Sequence, residues 1–417
     1  MVKLNTTSKM KAGCAMRTVV LLTFGFLCVS DFAFSADDGA AAQKKTRHIG
    51  SEPIFGGAQA VVTEDVALFH TSQVLPLDFD GNLVGKNATE QASMILTNIG
   101  SLTNRLDSRD VARLVKLNLY VPNETVANEL RPFLRTQFQR KHSPAFSLVQ
   151  TRLHRPGALV TMDAVVIANR PDQHSVKEVS INNWHSNKTA ILPRGPRVYI
   201  SGQAEKGMDL ADATAKTLQS LKQTLQHLGS EIKDVAHVKC FLTPMADVAK
   251  VEAEIDKWFA PHPVPPCVFV EWQSTLPIEI EMIATTRPNP ESREPLEFIT
   301  PPGMTASPVF CRVVRINDPR TIFVSGLFSR EAGNGAAQVN DVFAQLQDIL
   351  KASGSDLRHL AKATYYVSDD DASKKLNELR PKFYDPQRPP AASKAQVFGV
   401  GMAGRSLTLD MIAVPAK

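Results

Sequence analysis

The chain has 417 residues, too many for one ordinary hydrophobic core, so two to four domains are expected. Its 43% hydrophobic and 21% charged residues argue against a disordered chain and against a membrane protein. The formal charge of +5 includes no run of bases able to neutralise several phosphates, which leaves nucleic acid out as a partner.

The first predicted element is an export signal. Lys3, Lys9, Lys11 and Arg17 precede the apolar run Thr18–Val29, and Ala33-Phe-Ser-Ala36 places small residues at cleavage positions. The run is shorter than the roughly 20 residues a membrane span needs, so cleavage after residue 36 is expected rather than anchoring. Asp31 leaves with the four bases, and the mature chain carries +2. Residues 37–54 read as a disordered leader, and the mature protein as secreted or periplasmic. Cys240, Cys267 and Cys311 remain, an odd number at wide spacing and no disulfide framework. No CxxC, HExxH or clustered His/Asp set suggests a metal; no metal and no cofactor are expected. Asn87-Ala-Thr89 and Asn123-Glu-Thr125 match the glycosylation sequon, which the bacterial look of the signal makes a chance match.

From residue 55 onward one order of elements occurs three times. Each copy opens on a strand ending at a serine: Leu68–Gln73 with Ser72, Val198–Gln203 with Ser201, and Ile322–Gly326 with Ser325. An amphipathic helix follows. In the middle copy Ala215, Leu218, Leu221, Leu225 and Leu228 recur at steps of three or four before Gly229; the third copy has Val339, Phe343, Leu346 and Leu350 before Gly354. A lysine-centred strand comes next, around Lys116, Lys239 and Lys362, which are 123 positions apart. The alternation around them predicts a strand with one buried and one polar face, with the lysines on the polar face. A second helix (Glu124–Phe138, Met245–Phe259, Asp371–Phe383) and a period-2 strand (Leu159–Val166, Ile278–Ile283, Leu407–Ile412) close each copy. The unit is thus an α/β (α+β) βαββαβ-type sheet with two helices on one face. Copies are predicted at 55–170, 190–287 and 305–417. The Pro- and Asn-rich stretches 171–189 and 288–304 read as linkers without regular structure.

The string Val198-Tyr-Ile-Ser-Gly-Gln203, the Val238-Lys239 strand and Leu276-Pro-Ile-Glu-Ile-Glu-Met-Ile-Ala284 resemble the Rid family, also called YjgF proteins or L-PSP endoribonucleases. The resemblance covers nearly all of the mature chain and is strongest in the middle copy. It implies a chorismate-mutase-like fold and, because family members assemble as homotrimers with a ligand cleft at each subunit junction, an intramolecular pseudo-trimer. One chain would then equal a family trimer and stay monomeric by mass, each copy free to diverge.

The resemblance also implies the chemistry. Imine deaminases of the family hold the substrate carboxylate with an arginine after a Pro-Ala pair, a planar fork suited to bidentate contact. The matching positions here are Phe146, Cys267 and Ala392. The family's water-orienting glutamate is matched by Glu279 alone, with Thr161 and Thr408 in the other copies. The aromatic-serine segment before the first strand is altered to Phe55–Gln59 in copy one and Phe310–Arg312 in copy three, with no match in copy two. Ser201 and Gly202 are candidate substrate contacts, and Arg312 and Arg405 candidate replacements for the lost charge. Glu279 is the first catalytic candidate and Cys267 a second, which would need a cation or helix terminus to lower its thiol pKa. Arg312 and Arg405 are otherwise surface ion-pairing residues, Cys267 a buried apolar filler, and Glu279 a solvated strand carboxylate. Three functions remain open: a small-molecule cleft without turnover, an imine or enamine deaminase with a rebuilt pocket, and an endoribonuclease as in the older family name.

Overall fold

The computed structural model describes residues 45–106, 113–138, 143–168, 174–181 and 184–416. The predicted export signal and the leader up to residue 44 lie outside them. Copy one contains β3 (Ala67–Thr71), α1 (Ala88–Leu106), β4 (Arg113–Val121), α2 (Glu124–Phe138), β5 (Ala145–Gln150) and β6 (Thr161–Ala168), preceded by the hairpin strands β1 (Thr46–Ile49) and β2 (Ala60–Glu64). Strands β7 (Ser175–Ile181) and β8 (Trp184–Leu192) precede copy two, which has β9 (Arg197–Gln203), α3 (Leu210–His227), β10 (Val235–Leu242), α4 (Val248–Phe259), β11 (Cys267–Glu271) and β12 (Ile278–Thr285). Strands β13 (Leu296–Ile299) and β14 (Val313–Ile316) precede copy three, with β15 (Arg320–Val324), α5 (Gly335–Ala352), β16 (Leu360–Val367), α6 (Asp370–Phe383), β17 (Ala391–Gln396) and β18 (Leu407–Ala413).

Local chemistry sets the helix ends. The Asn87 carboxamide accepts the Glu90 amide at 2.9 Å while the Glu90 carboxylate accepts the Lys86 amide at 2.7 Å, a reciprocal cap for α1. Asn123 caps α2 by accepting the Val126 amide at 3.0 Å. Both sequon asparagines are therefore helix caps. Gly229 and Gly354 end α3 and α5 with φ of 68° and 79°, conformations that favour glycine. No helix of the described residues is long and apolar enough to cross a membrane.

The strands form three six-stranded sheets: β5-β4-β6-β3-β8-β7, β11-β10-β12-β9-β14-β13 and β17-β16-β18-β15-β2-β1. Each lysine strand pairs parallel with the edge strand after it and antiparallel with the closing strand. Two expectations are corrected here. The stretches predicted as linkers are strands: β7, most of β8 and β13 fall within them, and β1 falls in the predicted leader. Moreover, the hairpin before each copy completes the sheet of the copy before it. Strand β8 pairs with β3, β14 with β9, and β2, from the start of the chain, pairs with β15 of the last copy. The three units are interlocked in a ring of exchanged hairpins, and the chain's first hairpin closes it.

Three apolar clusters lie between helices and sheet. The first is built mainly on copy one, with Phe241, Trp272 and Tyr366 added from the other copies. The other two each belong mainly to one copy, with Val313 joining copy two and Ala60 and Val62 joining copy three through the exchanged hairpins. A fourth cluster draws on all three copies, with Leu68, Val165, Tyr199, Ile283, Phe323 and Ile412 among its members. Burying each such side chain contributes about 1.5–3 kcal/mol, so a core shared by the three sheets ties the copies together in folding.

Candidate functional site

The three opening strands end alike. Ser72, Ser201 and Ser325 donate their backbone N–H to the carbonyls of Lys188, Arg312 and Gln59, at 3.0, 2.9 and 2.9 Å. This register makes Lys188 the copy-two counterpart of Gln59 and Arg312, a match the sequence had not revealed. The residue after each serine, Gln73, Gly202 or Gly326, faces the edge strand of the next copy. The positions where the resemblance implied an arginine, Phe146, Cys267 and Ala392, are the first or second residues of these edge strands.

The three junctions are filled differently. Between copies one and two, the Gln73 carboxamide donates to the Phe269 carbonyl at 3.2 Å and to the Thr161 hydroxyl at 3.4 Å, and accepts the Phe269 amide at 2.9 Å. That side chain plugs the junction. Between copies three and one, Phe146 lies 5.7 Å from the Phe55 ring and 5.1 Å from that of Phe138. The Ser325 hydroxyl accepts the Phe146 amide at 2.8 Å and donates to the Ala58 carbonyl at 2.7 Å, and Thr408 stands where Glu279 stands in copy two.

The junction between copies two and three is of another kind. Gly202 donates its N–H to the Ser393 hydroxyl at 3.2 Å. A Cβ on Gly202 would lie 1.9 Å from Glu279 Oε1, so only glycine lets that carboxylate rest against the strand. Glu279 Oε1 is enclosed and has no hydrogen-bond partner. Burial pushes the carboxyl up to about 7; a hydrogen bond from Ser393 opposes this, the Glu281 charge adds to it, and the Arg312 charge opposes it. Gly202, Glu279, Ser393 and Arg312 are thus brought together, with Ser201 beside them donating its hydroxyl to the Arg312 carbonyl at 3.1 Å. The Arg312 guanidinium lies 4.9 Å over the Phe310 ring and donates Nε–H to the Thr305 carbonyl at 3.2 Å.

Two predicted residues lie elsewhere. Cys267 is buried on β11, at the junction with copy one, where its carbonyl accepts the Gln73 amide at 3.4 Å. Its thiol donates to the Pro265 carbonyl at 3.3 Å, and burial pushes it up to about 12, the opposite of what a nucleophile requires. Arg405 donates to the carbonyls of Ser329, Arg330 and Ala403, so its guanidinium fastens a copy-three loop.

The repeated lysines also need correction. Lys116, Lys239 and Lys362 are buried, at 3%, 3% and 7% exposure, and are not on a solvated face. Nor are they equivalent. A bulged residue, Val115, Ala236 or Ala361, marks the same point of each strand. Lys116 and Lys362 follow it directly, where copy two has His237, while Lys239 lies two residues further on, with Asn118 and Thr364. They nonetheless converge. Lys116 pairs with Asp410 at 3.0 Å, Lys362 with Glu281 at 2.9 Å, and Lys239 lies 3.9 and 4.0 Å from Asp410 and Glu281. The third carboxylate, Asp163, accepts from Tyr120 at 2.6 Å and Asn118 at 2.9 Å. Burial opposes ionisation of Asp410, but the three ammonium groups hold it well below the usual carboxylate range. This buried cluster links side chains of all three copies.

The family model described as endoribonuclease L-PSP matches residues 180–286 and 304–414, just over half of the chain. No curated protein matches it. Among solved structures, a YjgF family member from Neisseria meningitidis is similar at 23% identity over 29% of this chain and 96% of its own, with a TM-score of 0.23. The YjgF gene product of E. coli is 27% identical over 22% of this chain and 83% of its own, with a TM-score of 0.21. A YjgF family member from Mycobacterium tuberculosis is 20% identical over 22% and 78%, with a TM-score of 0.21.

Proposed function

This chain belongs to the endoribonuclease L-PSP family, known also as YjgF or Rid, and from that premise we propose that it is an exported small-molecule-binding protein with one working cleft. The cleft lies where copies two and three meet. The observation that carries this reading is the enclosed, unpartnered Oε1 of Glu279 against Gly202; at the equivalent place beside Gly326 the unpartnered atom is only a hydroxyl, Thr408 Oγ1, so a carboxylate stands at this junction alone of the three. Its ligand is a small molecule bearing a carboxylate, met by Arg312 in place of the arginine absent at Phe146, Cys267 and Ala392. The clefts have diverged from classical deamination of amino-acid-derived imines, because no copy keeps that arginine in its usual place.

One observation favours a second reading, hydrolysis of an imine or enamine. A carboxyl group titrating near neutrality can both take and return a proton. Glu279 would take a proton from water as the oxygen adds to the imine carbon and return it to the nitrogen, giving a carbinolamine; passing the hydroxyl proton to the nitrogen in the same way then releases ammonia as the carbonyl forms. No observation favours ribonuclease action.

The test is hydrolysis of amino acid imines generated by an oxidase, run on the mature protein and on Glu279→Gln, alongside calorimetry with 2-oxo acids. Binding that weakens about tenfold in Arg312→Gln, without turnover, supports the binding reading. Turnover that disappears in Glu279→Gln replaces it with the hydrolytic one. Neither binding nor turnover overturns both.

A further inference from the structure

A cavity of about 470 Å³ opens between the tip of the β1–β2 hairpin and the end of α2. Its walls include Ser51 and Glu52 from the hairpin, Arg135 from α2, and Ser143 before β5; Glu279, Ser325 and Thr408 are not among them. Two glycines let the hairpin tip close on copy one. Gly56 has φ of 79°, and a Cβ there would lie 2.9 Å from Arg135 Cα; a Cβ on Gly57 would lie 2.3 Å from the Phe146 ring.

Glu52 is only 5% exposed. Its two oxygens accept the amides of Ile54 at 2.8 Å and Phe55 at 2.7 Å, which leaves acceptor capacity on each. Among the described residues no cation comes within ion-pairing distance of Glu52: the charges of Arg135 and Arg131 favour its ionised form only from further off, and its direct partners are backbone amides. Burying a charge in that way is costly unless something compensates it. The exposed guanidinium of Arg135, another lining residue, makes one long hydrogen bond among the described residues, to the Ile54 carbonyl at 3.4 Å, leaving most of its donor fork unused. The cavity is thus lined by a buried carboxylate without a direct ion pair and by a guanidinium with free donors. Its volume falls within the range of about 300–1,000 Å³ usual for small-ligand sites.

We propose that this cavity binds a small zwitterion, a free amino acid or dipeptide, whose ammonium group meets Glu52 and whose carboxylate meets Arg135. The ammonium supplies the close ion pair Glu52 lacks, and the carboxylate accepts from the fork of Arg135. The site is independent of the Glu279 cleft and survives if that reading fails.

The experiment is calorimetry on the mature protein with L-alanine and L-alanyl-L-alanine, each compared with its N-acetyl and C-amide derivatives. At least one zwitterion is expected to bind, and removing either charge should weaken binding about tenfold or more, the scale of one charge-assisted contact. Glu52→Gln disturbs the loop that Glu52 holds, so the decisive variant is Arg135→Gln, at an exposed side chain. It should weaken binding at least tenfold, while Glu279→Gln leaves it unchanged. No heat from either zwitterion at tens of millimolar (~50 mM), equal binding of the acetylated forms, or loss in Glu279→Gln but not in Arg135→Gln would each overturn the assignment.

Discussion

Replacing Asp410 with Asn tests the buried cluster that joins the copies. Asp410 is 8% exposed and faces Lys116 at 3.0 Å and Lys239 at 3.9 Å, so the substitution removes the shared counter-charge of two buried ammonium groups from different copies. Breaking a buried pair from one side costs about 3–5 kcal/mol, because the remaining charge is left uncompensated. Against a total stability of about 5–15 kcal/mol, that is a large share. Urea unfolding should show a lower midpoint at unchanged slope. Adding Lys116→Met should cost less than the sum of the single changes by about 1 kcal/mol or more, since each removes the other's penalty. The pH dependence has a definite sign. Asp410 has a depressed folded-state pKa, so its contribution is present above the ordinary carboxylate range and is lost as pH falls below about 4. Asp410→Asn should flatten that acid limb. A loss under about 1 kcal/mol, or strict additivity with Lys116→Met, would refute the interlock.

Three further outcomes are expected. Gln73→Ala removes three hydrogen bonds and strips both backbone partners from Phe269, at about 1–3 kcal/mol for each buried group left unsatisfied, so urea unfolding should reveal a loss of at least 2 kcal/mol. Gly202→Ala drives a methyl group into the Glu279 carboxylate; it should destabilise by about 1–3 kcal/mol and abolish ligand binding at that junction, read by calorimetry. Light scattering on the mature protein should give the mass of one chain, since the exchanged hairpins close the ring within it.

The elements inside each copy were legible because their signals are local. Helix α2 and strand β16 begin and end where periodicity places them, at Glu124–Phe138 and Leu360–Val367. The exchanged hairpins were not legible. Leu296–Ile299 sits between Pro295 and Pro301, and its ladder continues to β9 of another copy, so neither its flanks nor its nearest neighbours advertise a strand. The lysine equivalence failed for a related reason: the bulges at Val115, Ala236 and Ala361 are unevenly spaced, and equal spacing of the lysines hides this. At the site, Glu279 and Gly202 could be read from the string that holds them. The plug at Gln73 had a signal that went unread, glutamine after Ser72 where the other copies have glycine. The burial of Glu52 without a direct ion pair had none, because it depends on which backbone amides the folded loop presents.

The most direct test of the cleft is the titration of the Glu279 carboxyl group itself. Carbon-13 NMR of side-chain-labelled glutamate in the mature protein, assigned by the signal missing from Glu279→Gln, should place its midpoint near 7. Because that folded value lies above the unfolded one, stability should fall as pH rises from about 4.5 to about 7, and the variant should lack this slope. A midpoint at the ordinary carboxylate value, near 4.5, would mean a solvated strand residue and would contradict the account of this junction as the working cleft.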